Sequence, residues 1–191
     1  MNISSYNIVL ASNSPRRKEL LSGIDIDYEI RLLTDVDETY PDDMNPEQVP
    51  EYLSRKKAEA NVDTLEEKEL LLTADTIVLL DGEILGKPGN VEETKAMLCR
   101  LSGKTHLVIT GVSLTSKQKQ VSFSETTKVT FSKLTSDEID YYSENYNPTD
   151  KAGAYGVQEW IGYVGVERLE GSYFNVMGLP IGRVYKEIRA F

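Results

Sequence analysis

"NIVLASNSPRRKELLSG" (residues 7–23) is the stretch whose reading decides the fold. "NIVLAS" (7–12) is a short apolar run ending in small polar residues, which predicts a buried strand. Ser14 then fits a helix N-cap, Pro15 the first helical position and Gly23 the stop. A strand therefore passes through a tight polar loop into a helix start. Three cations, Arg16, Arg17 and Lys18, crowd the first turn of that helix. The helix dipole already places about half a positive charge there, so each cation is unfavourable by about 0.3–1 kcal/mol. Two explanations fit. The cluster is a solvated basic face, or it meets an anion where free N–H groups, the hydroxyls of Ser12 and Ser14 and the side-chain charges converge. Arginine supplies a rigid fork for phosphate oxygens, and lysine a mobile point charge. The Gly-rich GxxxxGK[ST] phosphate loop is absent.

Outward from this stretch, "YEIRLL" (28–33) predicts a second strand, and "TDVDETYPDDMNPEQ" (34–48) an acidic, proline-marked loop. A helix is expected from Pro46 to Val62, with Val49, Leu53, Lys56, Lys57 and Ala60 spread around it. "ELLLTADTIVLLDGEILGKPGN" (69–90) reads as a buried strand and then a hairpin turning at Asp81-Gly82. Asn90 with Glu93 forms a capping-box pattern for a helix with Ala96, Met97, Leu98 and Leu101 as its apolar side and Gly103 at its end. "THLVITGVSLTS" (105–116) and "QVSFSETTKVTF" (120–131) are β-branched and alternating, as paired strands are. Thr135 and Glu138 repeat the capping box before a short helix. After the glycine-rich "DKAGAYGVQEWIGYVG" (150–165), Pro180 opens a last helix with Ile181, Val184, Tyr185 and Ile188 as its core stripe. There is no internal repeat, low-complexity tract or linker. The expectation is one α/β domain over residues 1–191, with a mixed central sheet flanked by helices.

Composition narrows the chemistry. The 191 residues carry 21 Lys and Arg against 31 Asp and Glu, a net charge of −10. That balance argues against nucleic acid or an anionic membrane surface as partner, because both need a broad basic face. One cysteine, Cys99, leaves no disulfide framework or cysteine-rich zinc site, and fits a reducing cytoplasm. One histidine, His106, excludes a multi-imidazole site. Both read as buried structural residues, His106 as a satisfied one. The N-terminus lacks a signal-peptide pattern, and no apolar run approaches the roughly 20 residues of a membrane span. The available chemistry is that of carboxylates, cations and amides.

Asp75 ends "TAD" in an apolar strand. It is a strand-terminal turn residue or a site residue, since ligands sit at strand ends in α/β sheets. Lys87 follows twelve residues on in "GKPG", and a hairpin would return it toward the same edge. Glu38 lies in an acidic loop of the kind that is commonly just solvated, and Lys57 faces either inward or outward on its helix. Two carboxylates with cations suit Mg²⁺-assisted phosphate chemistry, with an Asp as the base that activates water. In "DKAGAYGVQ" (150–158), Gly153 and Gly156 permit close backbone approach and Gln158 offers an amide with donor and acceptor edges, although a glycine-rich turn into a strand explains the same residues.

Taken in order, "LASNSPRRKELL", "DVDET", "KKAEA", "ADTIV…GEILGKP", "MLCRLSGKTHLVITGV", "DKAGAYGVQ" and "EGSYFNVMGLP" resemble the motif series of the Maf-like nucleoside triphosphate pyrophosphatases, from residue 8 to residue 182. The resemblance implies a two-lobed α/β fold with a cleft, a homodimer, and a Mg²⁺- or Mn²⁺-dependent enzyme that cleaves a nucleoside triphosphate to monophosphate and pyrophosphate. By motif match, Asp75 corresponds to the proton acceptor and Arg16, Thr76 and Gln158 to positions linked to substrate choice. Ser12, Arg17, Glu38, Lys57, Lys87, Asp150 and Lys151 match other polar site positions, with Glu38 and Asp75 as the metal carboxylates. "SPRR" with the glutamine of "YGVQ" is similar to the dTTP/UTP branch. One departure is "QEWIG" (158–162), where relatives are more glycine-rich. The competing expectation is a nucleotide-sensing regulator of cell division with little turnover.

Overall fold

The computed structural model describes residues 5–32 and 36–191. Leu33 of the expected second strand, and Thr34 and Asp35 of the acidic loop, lie outside them. In chain order the elements are β1 (Asn7–Leu10), α1 (Pro15–Ser22), β2 (Tyr28–Ile30), α2 (Val49–Glu59), β3 (Glu69–Leu80), β4 (Glu83–Leu85) and α3 (Val91–Leu101). There follow β5 (Thr105–Thr115), β6 (Gln120–Phe131), α4 (Ser136–Tyr146), α5 (Trp160–Gly165), β7 (Val166–Glu170), α6 (Tyr173–Val176) and α7 (Ile181–Ala190). The strands pair in the order β2-β1-β3-β5-β6-β7, with β4 on β3, in one sheet of parallel and antiparallel members. The mixed-sheet α/β expectation holds.

The chain divides into two compact units, and the boundaries fall inside β3, β5 and β6 and between α6 and α7. The first comprises the described residues up to Asp75 with Thr110–Glu125 and Gly178–Phe191. In it β1 runs parallel to both β2 and the start of β3, with Leu10 opposite Ile30 and Leu72. Leu70, Leu71 and Leu72 are all fully buried, as expected of a parallel strand covered on both faces. Val9, Ala58, Leu65 and Leu71 form a core cluster that fastens α2 to the sheet. The approach of α2 is close because of Gly111 in β5. A Cβ there would lie 2.2 Å from the carbonyl carbon of Pro50 and the nitrogen of Glu51. In α7, Ile181, Val184 and Ile188 are buried and Tyr185 is half-buried, which matches the expected stripe.

The second unit comprises Thr76–Ile109 and Thr126–Met177. Here β3 turns into β4 through Asp81 (φ 52°) and Gly82 (φ 84°), the two positive angles of a type I′ hairpin, with Leu80 opposite Glu83. Ile77, Leu79 and Ile109 build a core cluster against Ile84 and Leu107. Asn90 caps α3 by accepting the Glu93 N–H at 2.8 Å, while the Glu93 carboxylate accepts from Gly89 N at 2.7 Å. The Thr135–Glu138 capping box of α4 is complete.

Several local expectations need correction. The helix expected over 46–62 begins as a 3-10 turn (Pro46–Gln48), because Pro50 suits only the first turn of an α-helix, and it ends at Glu59. Gly23 closes α1 with ordinary right-handed angles, and the left-handed residue is Asp25 (φ 54°). The inward residues of α3 are Thr94, Leu98 and Leu101, while Ala96 is exposed. Cys99 is exposed, not buried, since it follows Leu98 around the helix onto the solvent side. β5 is buried continuously from Val108 to Thr115, as a strand with neighbours on both sides is, and does not show alternating burial. The glycine-rich segment leads into the helix α5, not into a strand, with β7 only afterwards.

Candidate active site

Each unit brings some of the candidate residues together. In the first unit the tight loop after β1 is organised by Ser12, not by Ser14, whose side chain makes no capping bond. The Ser12 hydroxyl accepts the Ser14 N–H at 3.2 Å and Arg17 Nη1 at 3.3 Å. Arg17 also donates from Nη1 to the Ala74 carbonyl and from Nε to the Gly178 carbonyl, both at 2.9 Å. Its guanidinium is thus a strut that joins the start of α1 to the residue before Asp75. Burial lowers the Arg17 pKa from its usual value, the Asp75 charge opposes that shift, and the Arg16 charge adds to it. Arg16 is half-buried at the second helical position.

Lys57 faces inward from α2, which the sequence left open. Its ammonium lies 2.6 Å from Asp75 Oδ1 and 2.8 Å from Glu38 Oε1. One lysine thus draws the two candidate metal carboxylates onto one point. The Lys57 and Asp75 side chains are only 16% and 14% exposed, whereas Glu38 is 61% exposed. The first pair is therefore held, and the second is an exchangeable surface contact. Lys56, the neighbour of Lys57, donates to the Thr39 carbonyl at 2.9 Å and so moors the loop that carries Glu38. The cluster sits at the carboxyl ends of β1 and of the paired part of β3, where ligands bind in α/β sheets.

The metal expectation can be tested against this donor set. Among the described residues no group of three or more His, Cys, Asp or Glu is placed to hold a metal ion. Two carboxylates converging on one cation, with no imidazole or thiolate, nonetheless fit Mg²⁺ or Mn²⁺. Such ions take one or two carboxylates and complete their shell with water and substrate phosphate.

In the second unit, Gly153 (φ 69°) donates its N–H to the Gly86 carbonyl at 3.0 Å, which ties the glycine-rich segment to the residue before Lys87. A Cβ at Gly153 would press to 2.7 Å from Val78 Cγ2, so only glycine fits. Lys87 itself is exposed after β4 and Thr76 half-buried in β3. Lys151 is nearly buried, with its ammonium 2.7 Å from Asp150 Oδ1 and 3.0 Å from Glu159 Oε1. Glu159 in turn accepts a very short hydrogen bond from the Tyr142 hydroxyl, and that hydroxyl accepts the Gly156 N–H at 3.0 Å. Burial first, and the Glu159 hydrogen bond second, raise the Tyr142 pKa above the usual phenol range, so this hydroxyl remains a donor.

Within this frame the side-chain oxygen of Gln158 is buried with no hydrogen-bond partner among the described residues. Tyr142 and Glu159 were not among the sequence candidates. Glu159 was visible only as a departure after the glutamine, and nothing in the helix pattern of α4 marks Tyr142 as more than a core residue. His106 is buried as expected but only half satisfied: Nε2 lies 2.7 Å from the Tyr155 hydroxyl, and Nδ1 has no partner among the described residues.

Comparison with known proteins gives the family of the chain. The chain is 56% identical over 188 residues to the dTTP/UTP pyrophosphatase of Phocaeicola vulgatus, covering 98% of this chain and 97% of that one. It is 54% identical to the protein of the same name from Parabacteroides distasonis, covering 100% and 98%. Among solved structures, a HAM1 protein from Coxiella burnetii shares the fold with a TM-score of 0.51 at 14% identity, over 97% of this chain and 100% of that chain. No described helix is long and apolar enough to cross a membrane. The family model of the Maf-like proteins matches residues 7–191, and the chain belongs to that family.

Proposed function

We propose that the protein is a nucleoside triphosphate pyrophosphatase that hydrolyses dTTP and UTP, with modified pyrimidine nucleotides as further substrates, to the monophosphate and pyrophosphate. The observation that carries the reading is the convergence of Asp75, Lys57 and Glu38 at a strand end beside the Ser12–Arg17 loop. Relatives more than half identical over nearly the whole chain bear the name of that activity.

In this reading Asp75 accepts a proton from the water that attacks at the α–β linkage. A P–O bond breaks as the new one forms, and pyrophosphate leaves. A divalent cation held by Asp75 and Glu38 would neutralise phosphate charge. Lys57, already against Asp75, orients the carboxylate and offers its ammonium to a phosphate oxygen. Arg16 and Lys87 add charge-assisted contacts to the triphosphate, each worth about 1.5–3 kcal/mol. Arg17, committed through Nε and Nη1 to backbone carbonyls, holds the loop in the shape that meets the phosphates. Ser12 contributes a hydroxyl, Thr76 and Gln158 belong with Arg16 to substrate choice, and Asp150 and Lys151 are further polar positions of the site. The reading extends to a homodimer in the cytoplasm, as the family resemblance implies.

Incubation with a panel of nucleoside triphosphates, each assayed for released pyrophosphate, is the test. Turnover concentrated on dTTP and UTP supports the proposal. Tight nucleotide binding without pyrophosphate release favours a sensor and overturns it.

A further inference from the structure

We propose that Thr73 is a positioning residue for the candidate active site: its hydroxyl fixes the seat of α2 on the sheet so that Lys57 meets Asp75. The inference rests on the pyrophosphatase reading above and names what holds the central ion pair of that reading in register. Side chains two apart on a strand share a face, so Leu71, Thr73 and Asp75 of β3 stand on the same side of the sheet. Each meets α2 in a different way. Leu71 joins the apolar cluster with Ala58, Thr73 Oγ1 donates to the Ser54 carbonyl at 2.7 Å, and Asp75 Oδ1 takes the Lys57 ammonium at 2.6 Å. Lys57 follows Ser54 by less than one turn, so the place of the Ser54 carbonyl sets where the Lys57 side chain begins.

The middle contact is the unexpected one. Thr73 is fully buried, between Leu72 and Ala74 in a strongly apolar strand. Its acceptor is a mid-helix carbonyl, which the helix's own bonding from four residues on already serves, so the backbone of α2 does not need this bond. What the bond adds is direction. Apolar contacts are non-directional and let a helix slide or roll, whereas a hydrogen bond of this length holds one atom against another. A valine in its place would keep the shape and put a methyl where the hydroxyl stands. Carbon and oxygen approach to about 3.3 Å, so the methyl would push the Ser54 carbonyl back by roughly half an ångström from its present 2.7 Å. Displacements of that order matter at a reacting centre, where about 1 Å can cost a hundredfold in rate.

The same turn of α2 is gripped from β5. Gly111 makes room for the backbone of Pro50 and Glu51, and two residues on, the Ser113 hydroxyl lies 2.9 Å from that of Ser54, both side chains fully buried. The Ser54 hydroxyl gives its one proton to the Glu51 carbonyl at 2.8 Å, so Ser113 is the donor between the two serines. Ser113 in turn accepts from Ser122, 2.8 Å away on β6. These hydroxyls hold the side chain of Ser54, while Thr73 holds its carbonyl from the very strand that carries Asp75.

The test is kcat and KM for UTP in the wild type, Thr73→Val, Thr73→Ser and Lys57→Met, and in the double variant of Thr73→Val with Lys57→Met. Thr73→Val should lower kcat by about tenfold or more with KM changed by less than about threefold, and Thr73→Ser, which restores the hydroxyl, should return kcat to within about threefold of wild type. The double variant separates positioning from mere stability. If Thr73 acts through Lys57, adding Thr73→Val to Lys57→Met lowers kcat by less than about twofold further, whereas a structural role lowers it again by the full factor and overturns the inference. Where Lys57→Met leaves too little turnover to read, the rescue decides: a Thr73→Ser as slow as Thr73→Val overturns the inference, and a restored one supports it. If Thr73→Val does not fold, Thr73→Ala takes its place under the same criteria. A wild type that releases no pyrophosphate overturns the enzymatic reading and this inference with it. An active wild type whose folded Thr73→Val keeps kcat within about twofold overturns this inference alone.

Discussion

The cluster around Asp75 and the cluster around Gln158 hold their polar groups in opposite ways. In the first, charges lie beside charges, and an outer partner, Glu38, is largely open to water. In the second, a neutral amide oxygen is buried with no partner among the described residues, while the charged groups around it are saturated by each other. Charges that can exchange partners suit a triphosphate, whose oxygens replace the ones lost at little net cost. An unpaired buried acceptor suits recognition, because only a ligand with a donor in the right place removes its penalty of about 1–3 kcal/mol. In the proposed reading chemistry and choice fall to different residues, and that division can be attacked from either side.

The largest effect is expected at Asp75. Asp75→Asn keeps the size of the side chain and removes its proton-accepting capacity, so kcat should fall by about 10²–10⁴. Nucleotide affinity should change little, because the cations remain. Turnover above about a tenth of wild type would show that the base lies elsewhere.

Next is the amide. Wild-type kcat/KM for dTTP and UTP should exceed that for CTP by roughly a hundredfold or more, because a mismatched buried polar group is costly to leave unpaired. Gln158→Leu should narrow that gap by lowering the good substrates and not by raising the poor one. If the variant instead lost turnover on every nucleotide alike, the division between chemistry and choice would break.

The exposed cation after β4 gives a smaller effect of a different kind. Lys87→Ala should weaken triphosphate binding by about 1.5–3 kcal/mol and leave binding of the uncharged nucleoside unaffected. Calorimetry with both ligands separates the cases. Equal losses would mean that Lys87 serves the fold of its hairpin and not the phosphates.

How much of this was legible beforehand follows from what kind of information each feature needs. The strand–loop–helix at residues 7–23, the Asp81-Gly82 hairpin and the Thr135 capping box are local, set by residues three or four apart, and all three are present. The α5 helix failed because "EWIGYVG" has too few turns to declare a period, and glycines favoured a turn reading. Lys57 could not be oriented from its helix pattern, since its direction is fixed by Asp75, 18 positions away, and by the depth to which Gly111 lets α2 approach. The Arg17 strut was not legible for a related reason. Its acceptors, Ala74 and Gly178, are backbone carbonyls, and any residue type supplies one. Cys99 was placed inside on the strength of residue type alone, against the stripe defined by Thr94, Leu98 and Leu101. The Glu159–Tyr142 contact joins two helical segments that carry no shared pattern, so it could be found only in three dimensions.

The smallest expected effect belongs to the floor of the second cluster and contrasts the two regions by pH. His106 is buried with its ring edge-on to Phe131 and Tyr155, at centroid distances of 5.3 and 5.5 Å. Burial lowers its pKa from the usual 6.5 to about 4. Because the folded value is depressed, the unfolded chain takes up the proton first as pH falls. Stability is therefore full above the unfolded pKa and declines from about pH 6.5 down to the folded value near 4. Between pH 7.5 and 5.5 the loss should be about 1.4 kcal/mol, or a few degrees in Tm for a chain of this length. It is the only histidine in the sequence, so no other imidazole contributes in that window. The Glu69 carboxylate, whose pKa is lowered chiefly by its hydrogen bond from Arg31, loses its contribution only as pH falls below the ordinary carboxylate range. Urea denaturation at the two pH values, repeated on His106→Asn, should give a sloping wild type and a flatter variant. Tyr155, the partner of His106, lies next to Gly156, so at pH 5.5 amide exchange should quicken first in residues 150–158 and not in β1. Uniform quickening across both units would show that the two regions unfold as one, whatever the division of labour between their side chains.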